Sequence, residues 1–394
     1  MKKQIKKILS LVLSKQYSLP DNWKYQPPAG IRLVDVRSLE ELDKHAAAWD
    51  ELFRKDGRLS PLLSYSWLGA FFQHLVTPPE RWLCLFAYEN ERLVGIFPLV
   101  ASYSYRFMGY SLQLFKLPYH FAHTSGTDAM VLPGREDIFD VFFDYLNHIP
   151  SVFPLFSFKH VPEHYASIRY FSRPEHKMCM VQKTAGFEDL VAVPGSAAEY
   201  FSGLSANFRK NLNKASRKLE ELKDVHFCFC ENNRSVQENT ACFLEVENRG
   251  WKGRRETSIK NYPDSARMFE TAAEELSRQG MMAFSFLEAG GKTIAAQYAM
   301  RSSRTMYCLK MGYDEDYAAY SPGNMLLLKI IEAACMSGEF DELNLISGAA
   351  ILDKWNVRKR PLYHLIVFPD IPVLSRLLKL IIQSGKIHNF NIPR

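Results

Sequence analysis

The clearest periodic pattern in the chain is helical and lies just after its midpoint. Apolar residues recur at spacings of three and four from Phe201 to Leu222, which predicts one amphipathic helix. The other side of this helix is strongly basic and carries Arg209, Lys210, Lys214, Arg217 and Lys218. A solvated helix face and an anion-binding face both fit this pattern.

The first half of the chain alternates between strand and helix patterns. A strand-like run over Ile31–Val36 precedes a helical window over Leu39–Phe53. Ser64 or Ser66 fits as the cap of a short aromatic helix that runs through Phe72. The other predicted elements are a hairpin over Trp82–Tyr88 and Arg92–Ala101, strands over Asp128–Leu132 and Val152–Lys159, and a helix over Ile138–Leu146.

The second half repeats this alternation after a polar connection at Ala192–Ala198. Glycines at the turn after Glu288 favour antiparallel pairing of the strands on either side. The strands are predicted over Val225–Cys230, Met281–Glu288, Thr293–Arg301, Thr305–Met311, Glu342–Ile346 and Pro361–Phe368, and the helices over Val236–Asn248, Ser265–Arg278, Asn324–Met336 and Ile371–Gln383. The pattern predicts an α/β (α+β) protein.

Length and composition narrow the class of protein. A chain of 394 residues with 47% hydrophobic residues is long enough for two folded domains. Its net charge of +6 favours anionic small molecules or a membrane surface over a dedicated nucleic-acid site. Seven cysteines without a Cys-x-x-Cys pair are typical of a reducing compartment, and the pair Cys228 and Cys230 lacks the further ligands of a zinc site. No metal is expected.

The first seventeen residues combine five lysines with apolar residues at helical spacing. Such a segment can lie on an anionic bilayer, but its apolar run is too short to span one and no cleavage site follows it. A helix packed on the protein or a frayed basic tail fits equally well.

Several familiar enzyme motifs are absent from the sequence. It has no Gly-x-Gly-x-x-Gly after a strand, no Walker A sequence, no His-Glu-x-x-His and no Gly-x-Ser-x-Gly. Dinucleotide chemistry, nucleotide hydrolysis, zincin proteolysis and α/β-hydrolase chemistry are therefore disfavoured.

A polar loop that joins a strand to a helix is the most informative local feature. It runs from Gly312 to Gly323, where Ser321 can cap the helix and Pro322 suits its first position. A helix start of this kind can hold a pyrophosphate, and Gly323 would allow a close approach to the backbone. The three acidic residues at 314–316 oppose that role if they point the same way, and a purely structural cap also fits.

The sequence resembles the GNAT acetyltransferases of the CelD cellulose-biosynthesis type, which are related to Fem-type peptidyl transferases. The resemblance spans about Val34 to Phe368, and its most specific part is the Tyr313-Asp314 loop that ends in Ser321-Pro322-Gly323. Weaker matches are Tyr65-Ser66-Trp67, Leu93 to Leu99, Arg209 to Leu212, Trp251-Lys252, Thr293 to Gln297, Phe340-Asp341 and Gly348.

This resemblance implies two GNAT-like folds in tandem, with mixed, largely antiparallel sheets flanked by helices. It also implies that an acyl donor is held at a splayed sheet in the second half, where a base removes a proton from an amine and backbone N–H groups stabilise the oxyanion. The expected donor contacts are Gln297, Tyr298, Lys310, Tyr320, Ser321, Gly323 and Asn324. Lys354 is expected as a catalytic residue, because it lies in the stretch Gly348–Trp355 where relatives tend to have a Tyr-Lys pair.

Candidate residues for the acceptor side lie in both halves. Asp128 and His123, in a polar stretch that also holds His120, could supply a base, as at the cleft of Fem-type enzymes, although Asp128 could equally cap a turn. Trp251 and Lys252 could stack on a substrate, whereas a core tryptophan at a helix end is the alternative. Lys310 could meet an anion or be a solvated edge lysine, and Gln297 and Tyr298 could simply complete a strand.

These observations lead to one expected function and two alternatives. We expect an N-acyltransferase that moves an acyl group, most simply acetyl, from acyl-CoA to an amine of a sugar, polysaccharide or cell-envelope precursor, with no bound cofactor. The missing Gly-rich loop leaves open a Fem-type aminoacyl transferase that uses charged tRNA, and an inactive double-GNAT scaffold at the membrane. The expected location is cytoplasmic, with peripheral contact to the inner membrane face through residues 1–17 as an option. The expected parts are a basic segment at 1–30, domains at 31–190 and 191–370, and a basic tail at 371–394.

Overall fold

A computed structural model describes residues 25–55, 60–107, 110–120, 127–231, 233–346, 348–371 and 379. The strands are β1 Ile31–Val36, β2 Arg81–Glu89, β3 Arg92–Phe107, β4 Tyr110–Lys116, β5 Met130–Val131, β6 Val152–Pro162, β7 Met178–Ala192, β8 His226–Cys228, β9 Met282–Ala289, β10 Lys292–Ser302, β11 Thr305–Tyr313, β12 Glu342–Asn344 and β13 Arg358–Pro369. The helices are α1 Leu39–Asp43, α2 Ala46–Lys55, α3 Tyr65–Leu75, α4 Ile138–Asn147, α5 Ala166–Phe171, α6 Ala197–Gly203, α7 Ala206–Glu220, α8 Val236–Arg249, α9 Trp251–Arg254, α10 Pro263–Arg278 and α11 Pro322–Ser337.

One mixed sheet runs through both halves of the chain. Its order is β1-β2-β3-β4-β6-β13-β7-β12-β11-β10-β9-β8, and β5 pairs with β3. Only two of the strand pairs are parallel, β4 with β6 and β11 with β12, and each of these is connected through a helix, α4 or α11. The same arrangement of antiparallel strands followed by one parallel pair therefore occurs twice.

Many predicted elements are confirmed. In these elements the capping residues and the apolar pattern of the sequence agree with the positions that the fold buries. The Ser64 hydroxyl accepts from the Trp67 N–H at the start of α3, and Ser235 forms a capping box with Glu238 at the start of α8. The hairpin of β2 and β3 and the consecutive strands β9, β10 and β11 form as predicted.

Other elements differ from the predictions. The helix predicted from Phe201 to Leu222 is broken at Leu204, and Ser205 caps α7 by accepting from the Phe208 N–H. The window over Leu39–Phe53 forms two helices, and the strands predicted at Asp128–Leu132 and Val225–Cys230 shorten to β5 and β8. Strands β4 and β7 were not predicted, because their alternation is interrupted by polar residues that the fold nevertheless buries.

Strand β13 ties the end of the described chain to its first half. It lies between β6 and β7, so a strand that follows the second parallel pair completes the sheet of the first half. The predicted boundary at 190/191 falls inside β7, and the predicted domain limits remain predictions.

The two faces of the sheet in the second half are covered by different helices. On one side Tyr307 packs in the same cluster as Phe243 of α8 and Phe269 of α10, and we call this side the α8 face. On the other side Met306 packs with residues of α7 and α11, and we call this side the α11 face. Because side chains alternate along a strand, neighbouring residues of β11 belong to opposite faces.

Among the described residues, no helix has the length and apolar character needed to cross a bilayer. The basic segment predicted at residues 1–17 lies outside the described residues, as does nearly all of the helix predicted over Ile371–Gln383.

Candidate functional site

A cleft of about 480 Å³ opens on the α11 face, between α7 and the start of α11. This volume is within the range of small-molecule sites, about 300–1,000 Å³. Residues from three separate segments line it, among them Asn211, Lys214, Lys218, Ser321, Asn324 and Lys354. The structure thus brings together three residues predicted as site residues, Ser321, Asn324 and Lys354, with part of the basic face of α7.

The charge of this cleft is positive. Lys214 and Lys218 lie one turn apart on α7, and Lys354 reaches across from a 3₁₀ turn with its ammonium 5.0 Å from the centre of the Phe208 ring. None of the three lysines forms an ion pair with any described residue. Their charges are therefore available to an anion that enters the cleft.

The start of α11 adds backbone donors to the same cleft. Ser321 lies in the left-handed region, with φ 52° and ψ 49°, and its side chain makes no capping hydrogen bond. The predicted cap by Ser321 is therefore wrong. Pro322 has no N–H, so the first N–H groups at the positive end of the helix dipole belong to Gly323 and Asn324. A phosphate oxygen is a suitable acceptor for them.

The three acidic residues before this helix do not point into the cleft. Asp314 is buried and its carboxylate lies 2.8 Å from the Lys292 ammonium, while Glu315 is paired with Arg254. Burial opposes the charged form of Asp314, but the bonds from Lys292 and the Asp316 N–H outweigh it and lower its pKa. Asp314 and Glu315 are thus paired with cations, and none of the three acidic residues lines the cleft.

Gly323 also makes room for a side chain of β11. A Cβ at this position would lie 3.3 Å from the Tyr313 ring. A bulky residue at 323 would press on Tyr313 and disturb the packing of α11. Tyr320 also packs against the core on this face.

Gln297 and Tyr298 complete the sheet. The Gln297 amide donates to the carbonyl oxygens of Tyr298 and Lys310 at 2.9 and 2.8 Å, and the Tyr298 hydroxyl donates to the Phe269 carbonyl oxygen at 3.2 Å. Both side chains are buried in the strand layer. The structure supports the alternative in which they stabilise the strand.

Lys310 and Lys252 lie on the α8 face, next to a buried carboxylate. β11 carries an extra residue opposite β10 between Tyr307 and Lys310, and this bulge turns Lys310 toward Lys252 and Glu247. Burial and the neighbouring Lys252 lower the pKa of Lys310 to about 8. The Lys252 ammonium is held by Glu247 at 2.8 Å. Trp251 is 44% exposed, so the expectation of a core tryptophan is wrong.

Asp128 is 1% exposed and lies at the beginning of α5. Its Oδ2 accepts from the Ser167 N–H at 2.9 Å, in the second position of that helix. Burial raises the pKa of Asp128 to about 7, although the bonds from Ser167 oppose this. These contacts favour the capping role. His123, the second predicted base, lies outside the described residues.

The stability of the protein should depend on the protonation of Asp128. Since its pKa is about 7 in the folded chain and near 3.8 in the unfolded one, the folded state holds the proton to higher pH. The contribution of this proton to the free energy of unfolding is complete below pH 4 and is lost as the pH rises toward 7. The change is on the order of 4 kcal/mol.

Asp128→Asn keeps an acceptor for Ser167 and removes the titration. Urea unfolding at pH 5 and pH 8 should therefore show that the variant gains stability relative to the wild type at the higher pH. Equal differences at both pH values would mean that Asp128 stays charged throughout.

The parallel pair β11 and β12 separates within the sheet. The two strands pair only from Thr305 to Tyr307, and β11 then continues to Tyr313 without a further partner on that side among the described strands. Past Tyr307, β11 therefore has no described strand paired with it on this side, and we call this separation the gap between β11 and β12.

A buried carboxylate that the sequence reasoning missed lies beside this gap. Glu188 of β7 is opposite Arg360 of β13. Two residues further along β7, Leu190 is opposite Asn344 of β12, and Asn344 is in turn opposite Tyr307 of β11. Glu188, Asn344 and Tyr307 therefore share the α8 face. Glu188 is 6% exposed, and its carboxylate is 3.1 Å from an Arg360 nitrogen. A sequence signal was present, since an acidic pair at 188–189 interrupts an apolar strand, but only the pairing shows where it lies.

Burial sets the chemistry of this carboxylate. It raises the pKa of Glu188, and the opposing contributions of Arg360 and Asn344 do not cancel this. Glu188 is also one of the groups that raise the pKa of the buried Tyr165. A buried carboxylate with a raised pKa can accept a proton from an amine.

Comparison with known proteins identifies the type of fold. Residues 206–352 match a family described as an acetyltransferase (GNAT) domain. No curated protein matches the sequence.

Solved structures are similar over most of the chain. FemX shares 10% identity with a TM-score of 0.51, covering 87% of this chain and 99% of that one. A C-terminal DUF2156 domain from Agrobacterium fabrum, whose parent protein is provisionally named a lysylphosphatidylglycerol synthetase, has the same identity and TM-score and covers 87% and 96%. A tandem GNAT protein from the clavulanic acid biosynthesis pathway, at 12% identity and a TM-score of 0.45, covers 85% and 98%.

At such low identity FemX and the DUF2156 domain, the two structures with TM-scores above 0.5, inform only on the fold. With the repeated strand arrangement, they show a mixed α/β protein of tandem GNAT-like fold, as predicted. The gap between β11 and β12 lies in the part that matches the GNAT domain, as does most of the cleft at the start of α11, whereas Lys354 follows the end of the match.

Proposed function

We propose that the protein is an N-acyltransferase that binds the phosphates of an acyl donor in the cleft on the α11 face. The observation that carries this proposal is the convergence of Lys214, Lys218, Lys354 and the uncapped start of α11 on one cleft. Lysine ammonium groups and helix N–H groups are the ligands that phosphates use in proteins. Acyl-CoA is the donor that fits, since its pyrophosphate would lie at this helix start.

The gap between β11 and β12 supports a transfer from one face to the other. A thioester that reaches through the gap meets the free backbone groups of β11 on the way, and these N–H groups could stabilise the oxyanion. An acceptor amine would then approach from the α8 face. The acceptor class that we propose is an amine of a sugar or cell-envelope precursor.

Glu188 is the proposed proton acceptor for this step. As the amine nitrogen forms its bond to the thioester carbonyl carbon, its proton passes to the Glu188 carboxylate, and the carbon–sulfur bond then breaks to release the thiolate. Glu188 replaces Asp128 in this role, because Asp128 is occupied at the start of α5. Arg360, which donates to the Glu188 carboxylate at 3.1 Å, would hold it in place.

The second candidate is a Fem-type aminoacyl transferase with charged tRNA as donor. It is favoured by the extent of the basic face of α7, where Arg209, Lys210 and Arg217 lie outside the cleft. A diphosphate does not need these residues, whereas an RNA backbone could contact them all.

Salt dependence of donor binding distinguishes the two donors. We expect acetyl-CoA to bind in calorimetry and to raise the melting temperature, with a weak dependence on salt because it carries few phosphates. Charged tRNA that contacts six to ten phosphates would lose about 10³–10⁵ in affinity between 50 and 200 mM salt. If neither donor binds, the enzyme assignment is contradicted, and the inactive double-GNAT scaffold is the hypothesis that is left.

A further inference from the structure

A second group of basic residues lies on the α8 face, in the first half of the sheet. We call it the basic cluster and define it as Lys116, Ser157, Lys159, His160 and His364. Lys116 of β4 is opposite Ser157 of β6, and Lys159 follows two residues later on β6. His364 lies four residues after Arg360 on β13, so it shares the face of Glu188.

Direct contacts hold the members of this cluster together. The Ser157 hydroxyl is 2.9 Å from Nε2 of His364. The Tyr119 ring contacts two further members, with its centre 5.2 Å from the His160 ring and 5.8 Å from the Lys159 ammonium. The cluster is therefore built from three strands, β4, β6 and β13.

The backbone at His160 is strained. This residue has φ 55° and lies where β6 carries an extra residue opposite β13. Its Nδ1 is buried and has no hydrogen-bond partner among the described residues. A buried ring nitrogen without a partner is costly, and a ligand that contacts it would remove this cost.

The electrostatics of the cluster are unbalanced. Burial and then Lys159, His160 and Lys183 lower the pKa of His364 to about 4, and burial and Lys116 lower the pKa of Lys159. Among the described residues, the cluster has one acidic ion-pair partner. This is Glu80, which lies 2.7 Å from Lys116. Lys159 forms no ion pair with any described residue, and a half-buried ammonium without a counter-charge favours the binding of an anion.

We propose that the basic cluster binds a phosphate group carried by the acceptor, an inference that rests on the proposed transfer reaction. A phosphate has enough oxygens for two ammonium groups, an imidazole N–H and the Ser157 hydroxyl, whereas a single carboxylate leaves donors unused. Lys159 has no acidic partner among the described residues, whereas Lys116 is already paired with Glu80, so the anion would supply the missing counter-charge of Lys159.

The position of the cluster agrees with this role. His364 lies four residue steps after Arg360 on β13, a length of about 13 Å along the strand. An acceptor anchored by its phosphate at the basic cluster could therefore extend along β13 and place its amine near Glu188. The acceptor class that fits is a phosphorylated amine, soluble or at a lipid headgroup.

The test is calorimetry of the full chain with inorganic pyrophosphate as the probe. We expect two binding sites, of which Lys159→Gln weakens one by at least about tenfold, while Lys159→Arg, which keeps the charge, retains it. Lys177→Gln, at an exposed lysine outside the cluster, is the matched control and should leave both sites unchanged. Glucosamine 6-phosphate and phosphatidylglycerol vesicles then compete for this site, and the competitor that displaces pyrophosphate identifies a soluble or a lipid source.

The result that would overturn the proposal is a Lys159→Gln isotherm identical to that of the wild type. Failure of the proposed function looks different. In that case acetyl-CoA does not bind to any of the proteins, whereas the pyrophosphate site that depends on Lys159 is still present.

Discussion

Replacing Glu188 by glutamine should lower kcat by about 10²–10⁴-fold, the usual contribution of a general base. The amide has nearly the same shape but cannot accept the proton of the amine. Because Glu188 lies on the α8 face and the donor cleft on the α11 face, the affinity for acetyl-CoA should not change. Steady-state kinetics and calorimetry on the same samples measure both quantities.

Glu342→Gln is the matched control for this prediction. Glu342 lies 3.3 Å from the same Arg360 whose other nitrogen contacts Glu188, so its replacement disturbs the same ion-pair network. It should keep most of the activity. Equal losses in both variants would assign a structural role to the network, and full activity of Glu188→Gln with loss in Asp128→Asn would return the role of base to Asp128.

The pH profile gives a second readout for Glu188. Burial raises the pKa of its carboxyl above the ordinary value of 4.5, and the base must be ionised to work. The rate should therefore fall as the pH decreases through this raised pKa, and the falling limb should disappear in Glu188→Gln. A limb that survives the substitution belongs to another group.

Replacing Lys214 and Lys218 together by glutamine should weaken acetyl-CoA binding by about 10- to 100-fold. Each lysine lines the cleft, and a charge-assisted contact of an exposed or half-buried lysine contributes on the order of 1 kcal/mol. Lys354 and the start of α11 remain, so binding should be weakened and not abolished. Calorimetry with acetyl-CoA checks this result.

The double variant Lys210→Gln with Arg217→Gln is its control, because it removes the same charge from the same helix outside the cleft. It should leave acetyl-CoA affinity within about twofold of the wild type. If both double variants weaken binding equally, the effect is a long-range field and the cleft is not the site. If the control instead abolishes binding of charged tRNA, the aminoacyl alternative gains support.

The sequence by itself determined most elements of the second half. Helices α8, α10 and α11 and strands β9, β10 and β11 were predicted, because each repeats its apolar residues with the period of its own secondary structure. The loop ending at Gly323 was also found as the entry to a helix, since Pro322 and Gly323 are local signals.

The site was predicted only in part. Ser321, Asn324 and Lys354 meet in the cleft as the resemblance implied, whereas Gln297 and Tyr298 serve the strand layer. Whether a polar residue on a buried strand bonds its own sheet or faces a ligand depends on the neighbouring strands, and no local pattern records these.

Only the tertiary structure decided which distant residues meet. Glu188 on β7 is adjacent to Arg360 because β13 enters the sheet between β6 and β7, 172 residues later in the chain. The basic cluster likewise combines β4, β6 and β13. Such pairings depend on the strand register and on two bulges, which change the face of the sheet to which the following residues belong. The register and the bulges are fixed by packing across the whole sheet and not by local periodicity.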